Sequence, residues 1–198
     1  VRGHVWLRVA GELMRRKAHL LPWDRPKVIV NAATVSRGPW RLIACPDASG
    51  LVCYQRFHGV WPRGAWPVNA LAAVLNGPVA NAYVRDHEGK RDNRVVTLRT
   101  IPIPDLDDTA LERLEALVGE YLGVRGQPDG LALSPLRLAK LRACLQRIDA
   151  VVLKGYDLPP RLERKLLDQF TGHRRPVPFP FNGFFPCGFT ACIPYDEY

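Results

Sequence analysis

The chain has 198 residues, 47% of them hydrophobic, and a formal net charge of +9 with a sequence pI near 9.7. That length and apolar share exclude a disordered tail and leave room for one substantial domain or two small ones. Arginine outnumbers lysine in the segments that read as loops, so the charge points to a polyanionic partner, nucleic acid first, against the alternative of a merely solvated basic surface. Five cysteines, at 45, 53, 144, 187 and 192, form no disulfide-like framework, which fits a reducing cytoplasm. No apolar run approaches the ~20 residues of a membrane span, and the basic N-terminus lacks the apolar stretch of a signal peptide. The chain starts at Val1 instead of a methionine, as a piece of a longer protein would.

In chain order, Val5, Leu7 and Val9 alternate with Trp6 and Arg8, a short strand signal. Lys27–Asn31 is a compact β-branched run of the length of a buried strand. Gly38-Pro39 forces a turn that should expose its flanking arginines, and Arg41–Ala44 resumes strand character. Pro46–Gly50 predicts a turn between that strand and another over Leu51–Phe57, a hairpin. His58–Pro67, with Trp61, Arg63 and Trp66, reads as an aromatic loop.

The stretch from Pro67 to Leu106 organises the rest. Ala70, Leu71, Val74, Leu75, Val79, Ala82 and Tyr83 recur at helical spacing, so an amphipathic helix covers Val68–Asp86, interrupted near Asn76-Gly77-Pro78. His87, Lys90, Arg91 and Arg94 follow in a loop with Gly89, Asp92 and Asn93, and Val95–Ile101 predicts a strand ended by Pro102 and Pro104. Asp105–Thr109 opens a helix to about Leu122, with acidic residues where the helix dipole favours them. Ser134-Pro135 caps and starts another, to about Leu153, antiparallel to the first, and Pro159-Pro160 starts a third over Arg161–Phe170. The segment from Arg174 to Tyr198, rich in proline and phenylalanine, should lie extended over the body. The expected fold is α+β: a small twisted, mostly antiparallel sheet with packed helices in residues 1–106, then a helical hairpin, a third helix and an extended tail in residues 107–198.

Two loops carry the functional candidates. In His87–Arg94, arginines can address phosphates or guanine edges bidentately, and Asn93 could read adenine, unless Asp86, Glu88 and Asp92 simply pair with those cations. In Ser36–Arg41, Ser36, Arg37 and Arg41 surround a Gly-Pro turn with Trp40 available to stack or to pack. Arg56, His58 and Arg63 form a weaker group. A metal-dependent nuclease built on Asp47, Glu88 and Lys90 is a competing class, and a protein-docking module whose basic loops meet acidic surfaces is a third. The spacing of Cys187 and Cys192 would suit zinc, but no second close ligand pair accompanies it.

Several stretches together resemble a known family: Arg25-Pro-Lys-Val-Ile-Val-Asn31 with Ser36-Arg-Gly-Pro-Trp-Arg41, Leu75-Asn-Gly-Pro-Val-Ala-Asn-Ala-Tyr83 with Gly89-Lys-Arg-Asp92, and Ile101-Pro-Ile-Pro104. Leu158–Arg164 and Arg175–Phe179 extend the likeness toward the end of the chain. They resemble the C-terminal target-recognition (specificity) region of bacterial adenine-specific DNA methyltransferases of restriction-modification type. The resemblance implies a chain that reads double-stranded DNA while a catalytic domain, fused upstream or supplied in trans, binds S-adenosylmethionine and modifies the base through Asn-Pro-Pro-Tyr. That tetrapeptide and a glycine-rich cofactor motif are missing from this sequence, so no cofactor, no metal and no catalysis are expected of the chain by itself. The DNA-binding residues expected are Ser36, Arg37, Trp40, Arg41, Arg63, His87, Lys90, Arg91, Asn93 and Arg94.

Overall fold

A computed structural model describes residues 20–53, 55–89, 91–126, 134–173 and 175. The strand expected at Val5–Val9, residue Lys90 and nearly all of the proline-rich tail lie outside the described residues. The fold is α+β. Its three-stranded sheet has β1 (Lys27–Asn31) at the centre, with β2 (Ala44–Asp47) and β3 (Phe57–Val60) both antiparallel to it. Val28 and Val30 share one face of β1, as the period of two requires, and pack with Leu42, Leu71, Leu75, Val84 and Ile101.

Three sequence expectations fail here, each for a local reason. The hairpin between residues 44 and 57 does not form, because the chain after β2 crosses to the opposite edge of β1, and the strand there covers Phe57–Val60 instead of Leu51–Phe57, taking in His58–Val60 of the expected loop. The Asp47 carboxylate starts that departure by accepting from Ser49 N, Ser49 Oγ and Leu51 N, and positive φ angles at Gly50 and Gln55 turn the chain further. Residues 41–43 are not strand, because asparagine side chains take over their backbone groups, as detailed below. Val95–Ile101 is not strand either: Val95–Leu98 is a short helix, α3 below. Val95 and Val96 are exposed, whereas Thr97 is buried with its hydroxyl on Glu88 Oε1 and Leu98 packs on the core, a period of helix instead of strand.

The helices are α1 (Val68–Asn76), α2 (Pro78–His87), α3 (Val95–Leu98), α4 (Asp108–Gly126), α5 (Pro135–Tyr156) and α6 (Pro160–Asp168). The break between α1 and α2 falls where the sequence has Gly77-Pro78. Proline at the first helical position biases its predecessor to extended backbone, and Gly77 has φ −74° and ψ 166°. Leu71, Ala72 and Leu75 of α1 face the sheet, while Ala70, Ala73 and Val74 face Leu111, Leu114, Ile148 and Val152 of α4 and α5. This one helix therefore serves both layers, and its alanines let both come close.

Asp107 Oδ1 accepts from Ala110 N at 2.7 Å and so caps α4, and Ser134 caps α5 by accepting from Arg137 N. The two helices run antiparallel, with Arg147 on Glu120 at one level and Arg137 on Val124 O and Arg125 O at another. Arg137 thereby satisfies C-terminal carbonyls of α4, which an isolated helix leaves bare. α6 places Leu166 and Leu167 with Trp40, Ala82, Leu153 and Phe170. Arg175 then binds buried Asp149 of α5 through two bonds, of 2.7 and 3.3 Å, and donates to Asn76 O. No helix among the described residues is long and apolar enough to cross a membrane.

Candidate nucleic-acid interface

Where β1 ends at Asn31, four asparagines do the work of a strand ladder. Asn31 accepts from Ile43 N at 2.7 Å and donates to Ala33 O and Arg41 O. Asn81, on α2, accepts from both Arg41 N and Leu42 N, at 2.7 and 2.8 Å, and donates to Gly77 O. Asn76 pairs both ways with the backbone of Ala44, and Asn93 donates to Asn31 O and Arg41 O. A carboxamide carries both donors and an acceptor, so it can replace a missing neighbouring peptide without bringing charge into the interior.

That scaffold brings the two candidate loops together. Ala33 bridges Asp92, Asn93 N donates to Ala32 O at 2.7 Å, and Thr34 N donates to Arg91 O at 3.0 Å. The third group joins at the same edge, because Ala32 N donates to Arg56 O and His58 Nε2 lies 3.0 Å from Asn93 O. Arg37, Arg56, Arg91 and Arg94, all exposed, project from these adjoining strands of loop. Arg94 is partly engaged: its Nε is 2.8 Å from Glu88 Oε2, yet the side chain stays 68% exposed. Burial tends to raise the Glu88 carboxyl, but hydrogen bonds from Thr97 and Arg94 outweigh it and the net shift is downward. His87 is exposed at the end of α2, stacked on Tyr83 and bonded to Tyr83 O. Lys90, expected in the same loop, lies outside the described residues.

Other expected contacts sit elsewhere. Trp40 is 1% exposed, packed on Phe170 with ring centroids 4.3 Å apart and covered by the Arg175 guanidinium, so it is a core residue instead of a stacking platform. Asn93 is buried and holds backbone carbonyls, which removes its amide from any base edge. Arg41 is 5% exposed and lies beneath the turn it was expected to decorate. Ser36 Oγ closes that turn by donating to Trp40 O. Arg63 is exposed but follows β3, whose end Val60 pairs with Val28, so it sits toward the start of β1 and away from the other arginines.

The nuclease triad is not brought together. Asp47 pairs with Lys27 at the start of β1, while Glu88 and the Asp92 loop lie past its end, and a five-residue strand separates its ends by about 13 Å. Burial would raise the Asp47 carboxyl, but hydrogen bonds from Lys27 and Ser49 and the Lys27 charge hold it at about 2. Among the described residues, no group of three or more histidine, cysteine or acidic side chains could hold a metal ion.

Sequence reading missed the asparagine network. Its signal was present, since Asn76 and Asn81 interrupt the apolar faces of α1 and α2, where a polar residue needs a partner. No protein-family model, no curated protein and no solved structure matches this chain. The likeness to methyltransferase target-recognition regions therefore rests on the quoted stretches alone.

Proposed function

We propose that this chain reads duplex DNA, as the specificity module of an adenine methyltransferase of restriction-modification type. The observation that carries the reading is the Ala33–Asp92 bridge, which sets the Arg37 loop beside the Arg91 and Arg94 loop with Arg56 at the same edge. Exposed guanidiniums side by side on a rigid support suit a phosphate backbone and the base edges next to it. The +9 charge and the resemblance of the stretches around these loops support the same conclusion. S-adenosylmethionine binding and methyl transfer belong to a catalytic portion outside this chain, and the module works in the cytoplasm with that portion.

Duplex titrations at several salt concentrations test the proposal. If about four to six phosphates are neutralised, the log–log slope should be near −4 to −5. Arg91→Ala should weaken random and cognate duplexes alike. Arg37→Ala, beside the stiff Gly38-Pro39 turn, should lose roughly 1 to 3 kcal/mol on the cognate site only. A flat salt titration, or no duplex binding at all, rejects the reading.

A further inference from the structure

The two faces of the sheet differ at the end where the arginine loops meet. Val28, Val30, Leu42 and Ala44 face the core. Residues directly opposite one another in a ladder share a face, so Asn31 and Phe57 stand abreast on the other one. Ile43, between the inward Leu42 and Ala44, joins them, and its O accepts from Asn31 N. Toward the start of β1 this outward face is roofed: a Cβ on Gly59, two residues along β3 from Phe57, would meet the Trp61 ring at 2.7 Å and the Trp23 ring at 3.0 Å. Past the roof it lies open, with Phe57 51% and Ile43 39% exposed.

Exposed apolar side chains at this edge accompany its cations. Phe57 follows Arg56 directly, Val35 is two residues from Arg37, and Val96 is two residues from Arg94, and each of these side chains is exposed. The loop bonds of Ala32 N to Arg56 O, Thr34 N to Arg91 O and Asn93 N to Ala32 O hold the three segments side by side. A lone apolar side chain on a surface needs no explanation, but a cluster interleaved with arginines does. A surface that met phosphates alone would gain nothing from it. Apolar contacts set among arginines suit a partner that carries anionic and apolar groups together.

The base edges of duplex DNA offer one such apolar group, the C5-methyl of thymine, in a major groove about 12 Å wide that admits strands. β3 is an outer strand of the sheet, and Phe57 is its residue at the arginine end. We infer that Phe57 reads an A·T pair by packing its ring on the thymine methyl group, with Arg56, Arg91 and Arg94 on the phosphates to either side. The inference rests on the DNA reading and adds to it a residue that specifies sequence. A contact one methyl wide needs a fixed backbone, which the ladder partner Asn31 supplies through its own bonds to Ile43 N, Ala33 O and Arg41 O.

The test is selection of binding sites from a randomised duplex pool by the full wild-type chain and by Phe57→Ala. The selected duplex is then titrated with each thymine replaced in turn by uracil, which removes only the methyl group. One such replacement should weaken wild-type binding about fourfold, the value of one buried methyl group. Phe57→Ala should bind the thymine and uracil duplexes equally and select no base at that position, yet keep the wild-type salt slope, because its phosphate contacts are untouched. Phe57→Leu should retain part of the discrimination, and it carries the comparison if the alanine variant does not fold. A wild-type chain indifferent to every uracil replacement, a penalty undiminished in both variants, or duplex binding that selects no sequence overturns the inference and leaves duplex binding standing. A wild-type chain that binds no duplex at any salt concentration overturns the DNA reading and this inference with it.

Discussion

The two ends of β1 solve one problem in opposite ways. At its start, the interior polar groups are ions: Lys27 faces Asp47 across the ladder and also donates to Trp23 O, under a roof made by Trp23 and Trp61 in edge contact. At its far end the amides of Asn31, Asn76, Asn81 and Asn93 do most of that work, around the buried Arg41. An ion drawn inside must be matched inside, so the charge at the first end is used up there. Amides satisfy peptide groups without charge, and Arg37, Arg56, Arg91 and Arg94 at the second end face outward.

Breaking the ionic end should cost most. Asp47→Ala strands Lys27, whose side chain has no exposure, and should lower unfolding free energy by about 3–5 kcal/mol in denaturant titrations. Replacing Lys27 and Asp47 together with Met and Leu should recover most of that loss, because no lone charge remains. On the amide end, Asn81→Ala leaves Arg41 N and Leu42 N without their partner and should cost about 2–4 kcal/mol. Its denaturation profile should move without change in its dependence on pH between 2 and 4.

The smallest effect separates the two ends by titration. The Asp47 carboxyl ionises at about 2 in the folded chain against an ordinary value of 3.8. A depressed carboxyl contributes stability that is complete above its unfolded value and lost as pH falls through the folded one. Acid unfolding should therefore show about 1–2 kcal/mol disappearing between about pH 4 and pH 2. Asp47→Asn should flatten that part of the curve. A wild-type curve with no slope in that window would mean that the pair does not hold the carboxylate.

What the sequence disclosed was local. Lys27–Asn31 announced itself by composition, the α1–α2 break by Gly77-Pro78, and the start of α5 by Ser134-Pro135, because each signal acts on its own few residues. The crossing from β2 to β3 was hidden, since the Asp47 side chain that redirects the chain also looks like ordinary turn chemistry. α3 was hidden by its valines, whose strand preference yields to Thr97 and Leu98 turning inward. In the candidate site, the exposure of Arg37 and Arg91 was legible from their turns. The burial of Trp40, Arg41 and Asn93 was not, because it depends on partners as distant in sequence as Phe170 and Asn31.

Arg175 sets how short a working fragment can be. It reaches back 99 positions to Asn76 O, lies over the Trp40 ring, and neutralises an Asp149 carboxylate that has no contact with water. A protease that clipped the chain just ahead of residue 175 would remove none of the named helices or strands, yet it would abandon a carboxylate inside α5 and uncover the indole beneath. Limited digestion should therefore show no lasting product ending between α6 and Arg175. Among the described residues, the packed unit extends past the end of α6 to this ion pair.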